Sequence, residues 1–376
     1  MFFRNPLLMC TLLLSALLIA PTAKLQATPV SDVDSDFNIS NDLVRDSYPF
    51  YGLARYLNAS RFYIVGDDGI GELEPRGTLQ AGQWLASVGR FQVLLLRAEG
   101  LQYSVNESEL SLANPELLVL PGNVRQLTSK HELNSIDPIL NQLRYAHLWT
   151  PLALLARLFE DLMELIHGAL NISWGITLVL VATLVRLVLL PVTILTQRAQ
   201  NRVTRITQQL APVLAEIKSK YDGEEAHNHL MAAHKSLSVT PFYSLKPMFA
   251  TLIQLPVLIA VFNALAEMPQ LAGQSFLWIS DLAYPDAIAE LPLTLPFLGN
   301  TLNLLPWVMT AVSLLATAVQ RNPHASAQML ARQRRNLYLM SAVFLLLFYP
   351  FPAAMVFYWT LATGLSALQQ IVIKVK

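Results

Sequence analysis

Residues 175–193 read GITLVLVATLVRLVLLPVT, an almost wholly apolar run with one arginine, Arg186, inside it. A run of this length and composition is typical of a helix that crosses a lipid bilayer, which takes about 20 apolar residues. A guanidinium inside such a helix is costly unless water or a polar partner solvates it. Any fold proposed for the chain must therefore explain how this charge is accommodated.

The composition supports a membrane protein. The chain is 53% hydrophobic and only 14% charged, whereas soluble domains are about 25% charged. Its single cysteine, Cys10, excludes an internal disulfide framework and any zinc site built from cysteines.

Residues 1–27 have the pattern of a targeting segment, with Arg4, an apolar run over residues 7–20 and small residues at Ala23 and Ala27. This order predicts a secretory signal peptide. The apolar run is short for a bilayer span, which needs about 20 residues, but an uncleaved signal anchor stays open. Either arrangement exports the residues that follow.

Residues 28–148 are polar enough for a separate domain outside the cytoplasm. The segments RFYIVG, RFQVLLLRAEG, LQYSVNESEL and PELLVLP are short and β-rich, and Gly, Pro and Asn separate them. We expect a small β-rich domain, and no catalytic constellation is evident in it. A docking or spacing role is the default expectation.

From Trp149 onward the chain reads as a helical membrane core. Residues 152–167 predict an amphipathic helix that lies along a membrane surface or, alternatively, packs on the exported domain. Its polar side carries Arg157, Glu160, Asp161, Glu164 and His167, and its apolar side carries Leu155, Leu158, Phe159, Leu162, Met163 and Ile166.

Five spans are expected in this core. The last apolar run, residues 337–373, would be about 56 Å long as one helix, which is nearly twice the hydrocarbon thickness. The YPFP sequence at Tyr349–Pro352 predicts a break there, because proline lacks an N–H group. The predicted spans lie near residues 172–195, 247–266, 302–320, 337–350 and 353–373.

The positions of lysine and arginine predict the orientation. No basic residue lies between Glu267 and Thr301, whereas the segments after the first and third spans and the C-terminal tail are basic. The basic segments and the C-terminus are therefore expected in the cytoplasm. Residues 196–245 predict a hairpin of two helices around Tyr221, or else a solvated basic loop that only sets the orientation. The histidines of this segment, His227, His229 and His234, are not expected to bind a metal.

Arg186 is predicted near the middle of the first span, roughly 16 Å from its inner limit and roughly 22 Å from its outer limit. Its head group either reaches the inner interface along its aliphatic stem or lies in a hydrated cavity. No acidic residue occurs inside the apolar runs, so an unpaired cation there requires water. The nearby neutral polar groups are those of Thr183, Gln254, Thr360 and Thr363. Such a cavity would attract acidic or polar peptide segments from the cytoplasm.

Four ordered motifs over residues 149–376 carry a resemblance. TLVRLVLLPVT, FATLIQLPVLIAVFNAL, SFLWISDLAYPD and YPFPAAMVFYWTLATGLSALQQ are similar to the successive signatures of the YidC/Oxa/Alb membrane protein insertases. The resemblance implies five spans around a hydrophilic groove that opens to the cytoplasm and to lipid and is closed on the outer side. It also implies insertion of membrane proteins, alone or beside the Sec translocon, without nucleotide hydrolysis.

The resemblance also assigns residues. Arg186 is similar to the groove arginine and Gln254 to a polar residue of the next span, while Tyr358 and Trp359 occupy the place of a substrate-contacting tyrosine pair. Trp359 departs from that pair, and Ala182 lies where a polar residue is often found. The predicted substrate-groove residues are Arg186, Thr183, Gln254, Tyr358, Trp359 and Thr363.

The expected fold is thus an all-α polytopic membrane core of five transmembrane helices with a cytoplasmic helical hairpin, plus a small β-rich extracytoplasmic N-terminal domain. The expected function is that of an insertase and chaperone in a bacterial inner membrane, not an enzyme and without a cofactor. The expected partners are nascent membrane proteins, the lipid bilayer, the Sec translocon and the ribosome, without nucleic-acid sequence recognition. A solute transporter with a cationic site at the membrane midplane is the alternative, although internal repeats and midplane carboxylates are not evident. No motif of an intramembrane protease is present in the spans.

Overall fold

The computed structural model describes residues 37–40, 46, 48–71, 73–106, 109–114, 117–118, 123–236, 246–319 and 327–372. The predicted targeting segment, residues 1–27, lies outside these ranges. A β-rich N-terminal part precedes a mostly helical part, as the sequence predicts.

Two antiparallel sheets form the N-terminal part. Its described residues contain nine strands, β1 Phe37–Ser40, β2 Arg61–Gly66, β3 Gly69–Gly71, β4 Arg76–Thr78, β5 Trp84–Val88, β6 Val93–Leu96, β7 Gln102–Asn106, β8 Glu109–Leu112 and β9 Val124–Leu127. One sheet has the order β1-β8-β7-β4 and the other has the order β3-β2-β5-β6-β9.

Strands β5 and β6 are buried along their whole length because both of their faces are covered. Leu85 and Leu94 pack with the other sheet in one hydrophobic cluster. Leu95, one residue along, packs in a second cluster with Leu133 and Leu140 from the segment that follows β9. Alternating side chains of one strand thus fill two cores, as the period of two in a strand requires.

The helical part has nine α-helices within the described ranges. They are α1 Leu133–Ile136, α2 Thr150–Leu170, α3 Trp174–Val188, α4 Leu190–Lys220, α5 Gly223–Ser236, α6 Lys246–Glu267, α7 Leu305–Val319, α8 Ala327–Phe348 and α9 Ala353–Val372. Two further strands, β10 Ala289–Leu295 and β11 Gly299–Leu302, form a hairpin between α6 and α7.

The predicted span near residues 172–195 is not one straight helix in the structure. Helix α3 ends at Val188, and α4 begins at Leu190 with Pro191 in its first turn. Because proline lacks an N–H group and its ring clashes with the carbonyl four residues earlier, the helix cannot pass straight through this position. The two helices are bent by 55° relative to each other.

Among the described residues, no single helix has the length and hydropathy that crossing a bilayer alone requires. The bent pair of α3 and the Leu190–Ile217 part of α4 meets that criterion together.

Helix α2 turns part of its polar side inward. Glu160 is 3% exposed and accepts hydrogen bonds from the Arg144 guanidinium at 2.8 Å and the Tyr145 hydroxyl at 2.7 Å. Its other oxygen lies 2.7 Å from Nε2 of His131. Burial opposes the charge of Glu160, but the hydrogen bonds with His131 and Arg144 hold its pKa below the ordinary value. The hydrogen bond to Glu160 in turn raises the pKa of His131.

The polar side of α2 therefore binds the segment that leads out of the N-terminal part. The apolar residues Leu154, Leu158 and Leu165 of the same helix are exposed.

A buried arginine joins the N-terminal part to the helical part. The Arg90 guanidinium donates to the carbonyl oxygens of Ala266 at 2.6 Å and Ala283 at 2.7 Å, and it pairs with the Asp46 carboxylate at 2.8 Å. The Lys130 ammonium lies 2.6 Å from the Glu267 carboxylate at the end of α6 and makes a second link. Both cations belong to the N-terminal part, and both contact residues at the end of α6.

We predict that Arg90→Ala destabilises the protein by about 3–5 kcal/mol, because it leaves a buried carboxylate without its counter-charge. Thermal unfolding in lipid nanodiscs measures the loss. The control is Arg97→Ala, which removes an exposed guanidinium that lies 4.9 Å from the Trp84 ring centre and is worth about 1 kcal/mol or less. Equal losses for the two variants would contradict a joint that depends on Arg90.

Candidate functional site

A cavity of about 260 Å³ lies between α3, α7, α8 and α9, and Arg186 is part of its wall. Its wall also contains Trp359 and Phe344, which are aromatic, and a set of hydroxyl-bearing side chains. The hydroxyl-bearing residues are Thr310, Ser313, Thr317, Ser341, Thr363 and Ser366.

Three of the predicted groove residues, Arg186, Trp359 and Thr363, meet at this cavity. They come from α3 and α9, and helices α4 to α8 lie between these two helices in the chain. The spacing of Trp359 and Thr363, four residues apart on α9, places them on one face of that helix. The cavity therefore gathers residues that the sequence singled out separately.

The other three predicted residues are not in the cavity wall. The Thr183 hydroxyl donates to the Val179 carbonyl oxygen of its own helix at 2.8 Å. Tyr358 is buried, and its ring meets Phe159 edge-on with centres 6.1 Å apart. Gln254 is half-buried on α6. Tyr358 is outside the wall that its neighbour Trp359 joins, since adjacent helical residues point about 100° apart, but it is close enough to Arg186 to interact with it electrostatically.

Arg186 lies in the last turn of α3, two residues before the helix ends. The carbonyl groups at a helix C-terminus carry a partial negative charge, which stabilises a cation in the last turn. This stabilisation follows from the break at Leu189, and the sequence analysis missed it because it extended the helix further. Pro191 was the signal that could have found it.

The Arg186 guanidinium has no hydrogen bond or ion pair with any residue that the structure describes, and it is half-buried. Its nitrogen atoms are not fully buried, and Arg186 lines the cavity. A cation with five donors and no protein acceptor in contact needs water or a ligand to solvate it.

Helix α7 supplies three hydroxyl groups to the cavity at positions i, i+3 and i+7. Thr310 donates to the Pro306 carbonyl oxygen at 2.8 Å, and Ser313 donates to that of Met309 at 2.8 Å. Thr317 makes the equivalent bond at 3.0 Å. Each hydroxyl proton is thereby used within the helix, which leaves the oxygen lone pairs to accept bonds from molecules in the cavity.

These hydroxyl groups are not among the predicted groove residues, which come from the first, second and last spans only. Their helical spacing on the third span was a readable signal, and it places all three on one face.

No carboxylate belongs to the cavity wall among the described residues. The enclosed volume exceeds by far the roughly 30 Å³ that one molecule takes in liquid water, and the wall offers polar partners that a buried water requires. The cavity is therefore suited to hold several water molecules around one positive charge. Its electrostatic preference is for anionic or hydrogen-bond-donating groups.

A row of aromatic rings begins at the cavity wall. The Trp359 ring centre lies 5.2 Å from that of Phe348 and 5.5 Å from that of Phe344. Phe348 in turn lies 5.7 Å from Phe351, which lies 6.4 Å from Tyr56 of the N-terminal part. A continuous row of rings thus connects the cavity wall to the N-terminal part.

Asp286 fixes the helix that carries the three hydroxyl groups. Its buried carboxylate accepts hydrogen bonds from the backbone N–H groups of Leu304 at 3.0 Å and Leu305 at 2.7 Å, at the start of α7. It also accepts one from the Trp278 indole at 3.1 Å. An anion at a helix N-terminus satisfies unpaired N–H groups and is favoured by the helix dipole. Asp286 is the last residue of the SFLWISDLAYPD motif, but the motif alone does not predict this role.

One group of side chains has the donor types of a metal site. The ligand atoms of His131, Glu160 and Glu164 lie within 4.8 Å of one another. The Arg144 guanidinium already pairs with Glu160, and His131 lies 3.1 Å from the Glu164 carboxylate. We interpret the group as an ion-pair cluster that connects α2 to the segment before it.

Comparison with known proteins identifies relatives of the helical part. The family profile described as "60Kd inner membrane protein" matches residues 165–376. The chain is 31% identical over 227 residues to a protein of Treponema denticola named "Membrane protein insertase YidC", covering 59% of this chain and 38% of that protein. It is 32% identical over 269 residues to a protein of the same name from Chlamydia caviae, covering 69% of this chain and 32% of that protein.

The chain spans about a third of the length of these relatives. A solved structure described as an active YidC insertase crystal structure with the first transmembrane domain resolved aligns with a TM-score of 0.42 and 17% identity. That alignment covers 81% of this chain and 65% of the other.

We predict that water reaches the cavity, and cysteine labelling in lipid nanodiscs tests it. In a Cys10→Ser background, Ser313→Cys should react with a charged thiol reagent at least roughly tenfold faster than Leu315→Cys, because the reactive thiolate forms only where water solvates it. Leu315 is the matched control, since it lies on the same helix and is 67% exposed on the apolar outer surface. Equal rates, or faster labelling of position 315, would contradict a hydrated cavity.

Proposed function

Because this chain belongs to the 60Kd inner membrane protein family, the YidC/Oxa/Alb insertases, we propose that it inserts proteins into the bacterial inner membrane. The observation that carries the proposal is the half-buried Arg186 guanidinium, which lines a hydroxyl-bearing cavity and makes no hydrogen bond or ion pair with any residue that the structure describes. The relatives from Treponema and Chlamydia are named membrane protein insertases. No nucleotide hydrolysis and no cofactor enter the mechanism that we propose.

The cavity lowers the barrier to translocation of a polar segment. The flank or tail of a substrate must cross about 30 Å of hydrocarbon to reach the outer side. A hydrated cavity inside the membrane shortens the apolar part of that path. Hydroxyl oxygens of Thr310, Ser313 and Thr317 accept hydrogen bonds from the N–H groups of a peptide that enters the cavity.

Arg186 selects for negative charge in the entering segment. Its field acts in a medium of lower dielectric constant than water, where charge interactions are stronger. The cavity wall has no carboxylate among the described residues, so no neighbouring anion offsets the attraction. Acidic tails are therefore favoured over basic ones.

The apolar span of the substrate then leaves the groove sideways into lipid. Burial of apolar surface in the bilayer provides the driving force for this step, at about 25 cal/mol per Å². The aromatic row from Trp359 to Phe351 closes the outer end, so that the cavity admits a polar segment without forming an open pore.

Orientation follows from charge. The basic residues Arg198, Arg202 and Arg205 on α4 favour a cytoplasmic position for the hairpin of α4 and α5, and the N-terminal part is then extracytoplasmic. In this orientation α4 and α5 form the first surface that a nascent membrane protein meets. The Sec translocon and the ribosome are the further partners that we propose.

We predict that the effect of the Arg186 charge on insertion increases with the negative charge of the substrate tail. Arg186→Ala should lower insertion of a single-span substrate with an acidic exported tail about fivefold, which corresponds to about 1 kcal/mol of lost attraction. Arg186→Lys should be nearly silent, and Arg186→Glu should be the most harmful. Protease protection of the exported tail in reconstituted vesicles measures insertion.

Two controls define the result. A substrate whose tail carries Asn and Gln in place of Asp and Glu should insert almost equally with Arg186 and with Ala at that position. Arg198→Ala removes a charge of α4 outside the cavity wall and should leave the difference between the two tails intact. If Arg186→Ala inserted the acidic tail as well as the unmodified protein does, the electrostatic role would be excluded.

A further inference from the structure

The hairpin of β10 and β11 exposes apolar side chains to an unusual degree. Leu293 is 66% exposed and Phe297, at the turn, is 78% exposed. In β10 the leucines at 291, 293 and 295 alternate with other residues, so the sequence assigns them to one face of the strand. Glu290 is the one charged residue of the hairpin sequence, residues 289–302.

The hairpin is held in place by its backbone and not by these side chains. A Cβ atom on Gly52 would lie 2.6 Å from the Phe297 carbonyl oxygen, and one on Gly299 would lie 2.6 Å from the Tyr51 ring. The turn thus touches the N-terminal part so closely that only glycine fits at either position. Phe297 itself has a φ of 66°, in the left-handed region that residues with a side chain rarely adopt. This contact fixes the position of the turn while the Phe297 ring stays exposed.

The exposed apolar surface continues from the hairpin onto α7. Leu302 and Leu304 are each 38% exposed at the end of the hairpin, and Trp307 is 52% exposed in the first turn of α7. Leu315, two turns further along, is 67% exposed. The outer surface of a helix that faces lipid is apolar, and tryptophan is enriched where such a helix meets the headgroups. The hairpin therefore extends the same surface beyond the start of the helix.

The charges of this connection favour a lipid neighbour. Between Glu267 and Thr301 the sequence has no lysine or arginine. Two of its acidic residues are used inside the protein, since Asp286 caps α7 and Asp281 accepts hydrogen bonds from the backbone of Gly273 and Ala283. An apolar surface without free cations that borders a lipid-facing helix is suited to the boundary between headgroups and acyl chains.

We propose that the hairpin of β10 and β11 is a membrane anchor whose Leu293 and Phe297 side chains insert into the outer leaflet beside α7. The proposal rests on the proposed function, because it requires α7 to lie in the membrane with its N-terminus on the outer side. The hairpin then links the N-terminal part, through Tyr51 and Gly52, to the lipid surface. Its occupant is lipid, not a second copy of this chain or a soluble partner.

Fluorescence quenching by brominated lipids tests the anchor in the full chain in nanodiscs. In a Cys10→Ser background, Phe297→Cys and Leu293→Cys are each labelled with a small environment-sensitive fluorophore. Both labels should lose most of their emission when the lipids carry bromine near the headgroup end of the acyl chains, and both should resist quenching by aqueous iodide. The matched control is Val124→Cys on β9, which is 45% exposed and should respond only to iodide.

A label at Leu315→Cys separates the two proposals. If positions 293 and 297 respond to iodide like position 124 while position 315 is quenched by brominated lipid, the anchor is excluded and the membrane position of α7 stands. If position 315 also responds only to iodide, the proposed function fails with it. The label at position 297 could instead be protected from iodide without being quenched by brominated lipid. If this protection increased with the number of copies per nanodisc, the occupant would be a second copy of the chain and the anchor would be overturned.

Discussion

The structure depends on how one guanidinium in an apolar sequence is solvated. The break between α3 and α4 at Leu189 places Arg186 in the last turn of a helix, where the helix dipole favours a cation. The guanidinium lines a cavity whose wall has hydroxyl oxygens and, within the described part of the chain, no carboxylate. The charge is thereby tolerated without being neutralised. An unneutralised charge can still act on a substrate, which a buried ion pair could not do.

The N-terminal part and the cavity are physically connected. Arg90 and Lys130 hold the end of α6 and the segment after it with short hydrogen bonds and ion pairs, and the row of rings from Tyr56 to Trp359 reaches the cavity wall. Asp286 fixes the start of α7 from the same segment. The helices around the cavity are therefore held by contacts that come from outside these helices. This gives the N-terminal part a role in positioning the cavity helices beyond that of a spacer.

Much of the helical part could be predicted from the sequence because apolar runs and prolines act locally. The structure has α8 ending at Phe348 and α9 beginning at Ala353, around the YPFP sequence, since proline at these positions cannot continue a helix. The bend at Leu189 depends on the same property of proline at Pro191. It was not predicted because the apolar run continues through this position. The burial of Glu160 and the gathering of Thr310, Ser313 and Ser341 around Arg186 depend on which helix faces which. Hydropathy and spacing do not contain that information, so these features required the structure.

Site-specific photo-crosslinking to a stalled nascent membrane protein tests the central claim most directly, which is that a polar segment of the substrate enters the cavity beside Arg186. One probe replaces Trp359 in the cavity wall, and a control probe replaces Leu368, which is 55% exposed on the same helix and is not in the wall. The account predicts that the polar tail of the substrate forms adducts with the probe at position 359 and far fewer with the probe at position 368. Adducts of equal yield at both positions, or adducts at position 368 alone, would contradict it.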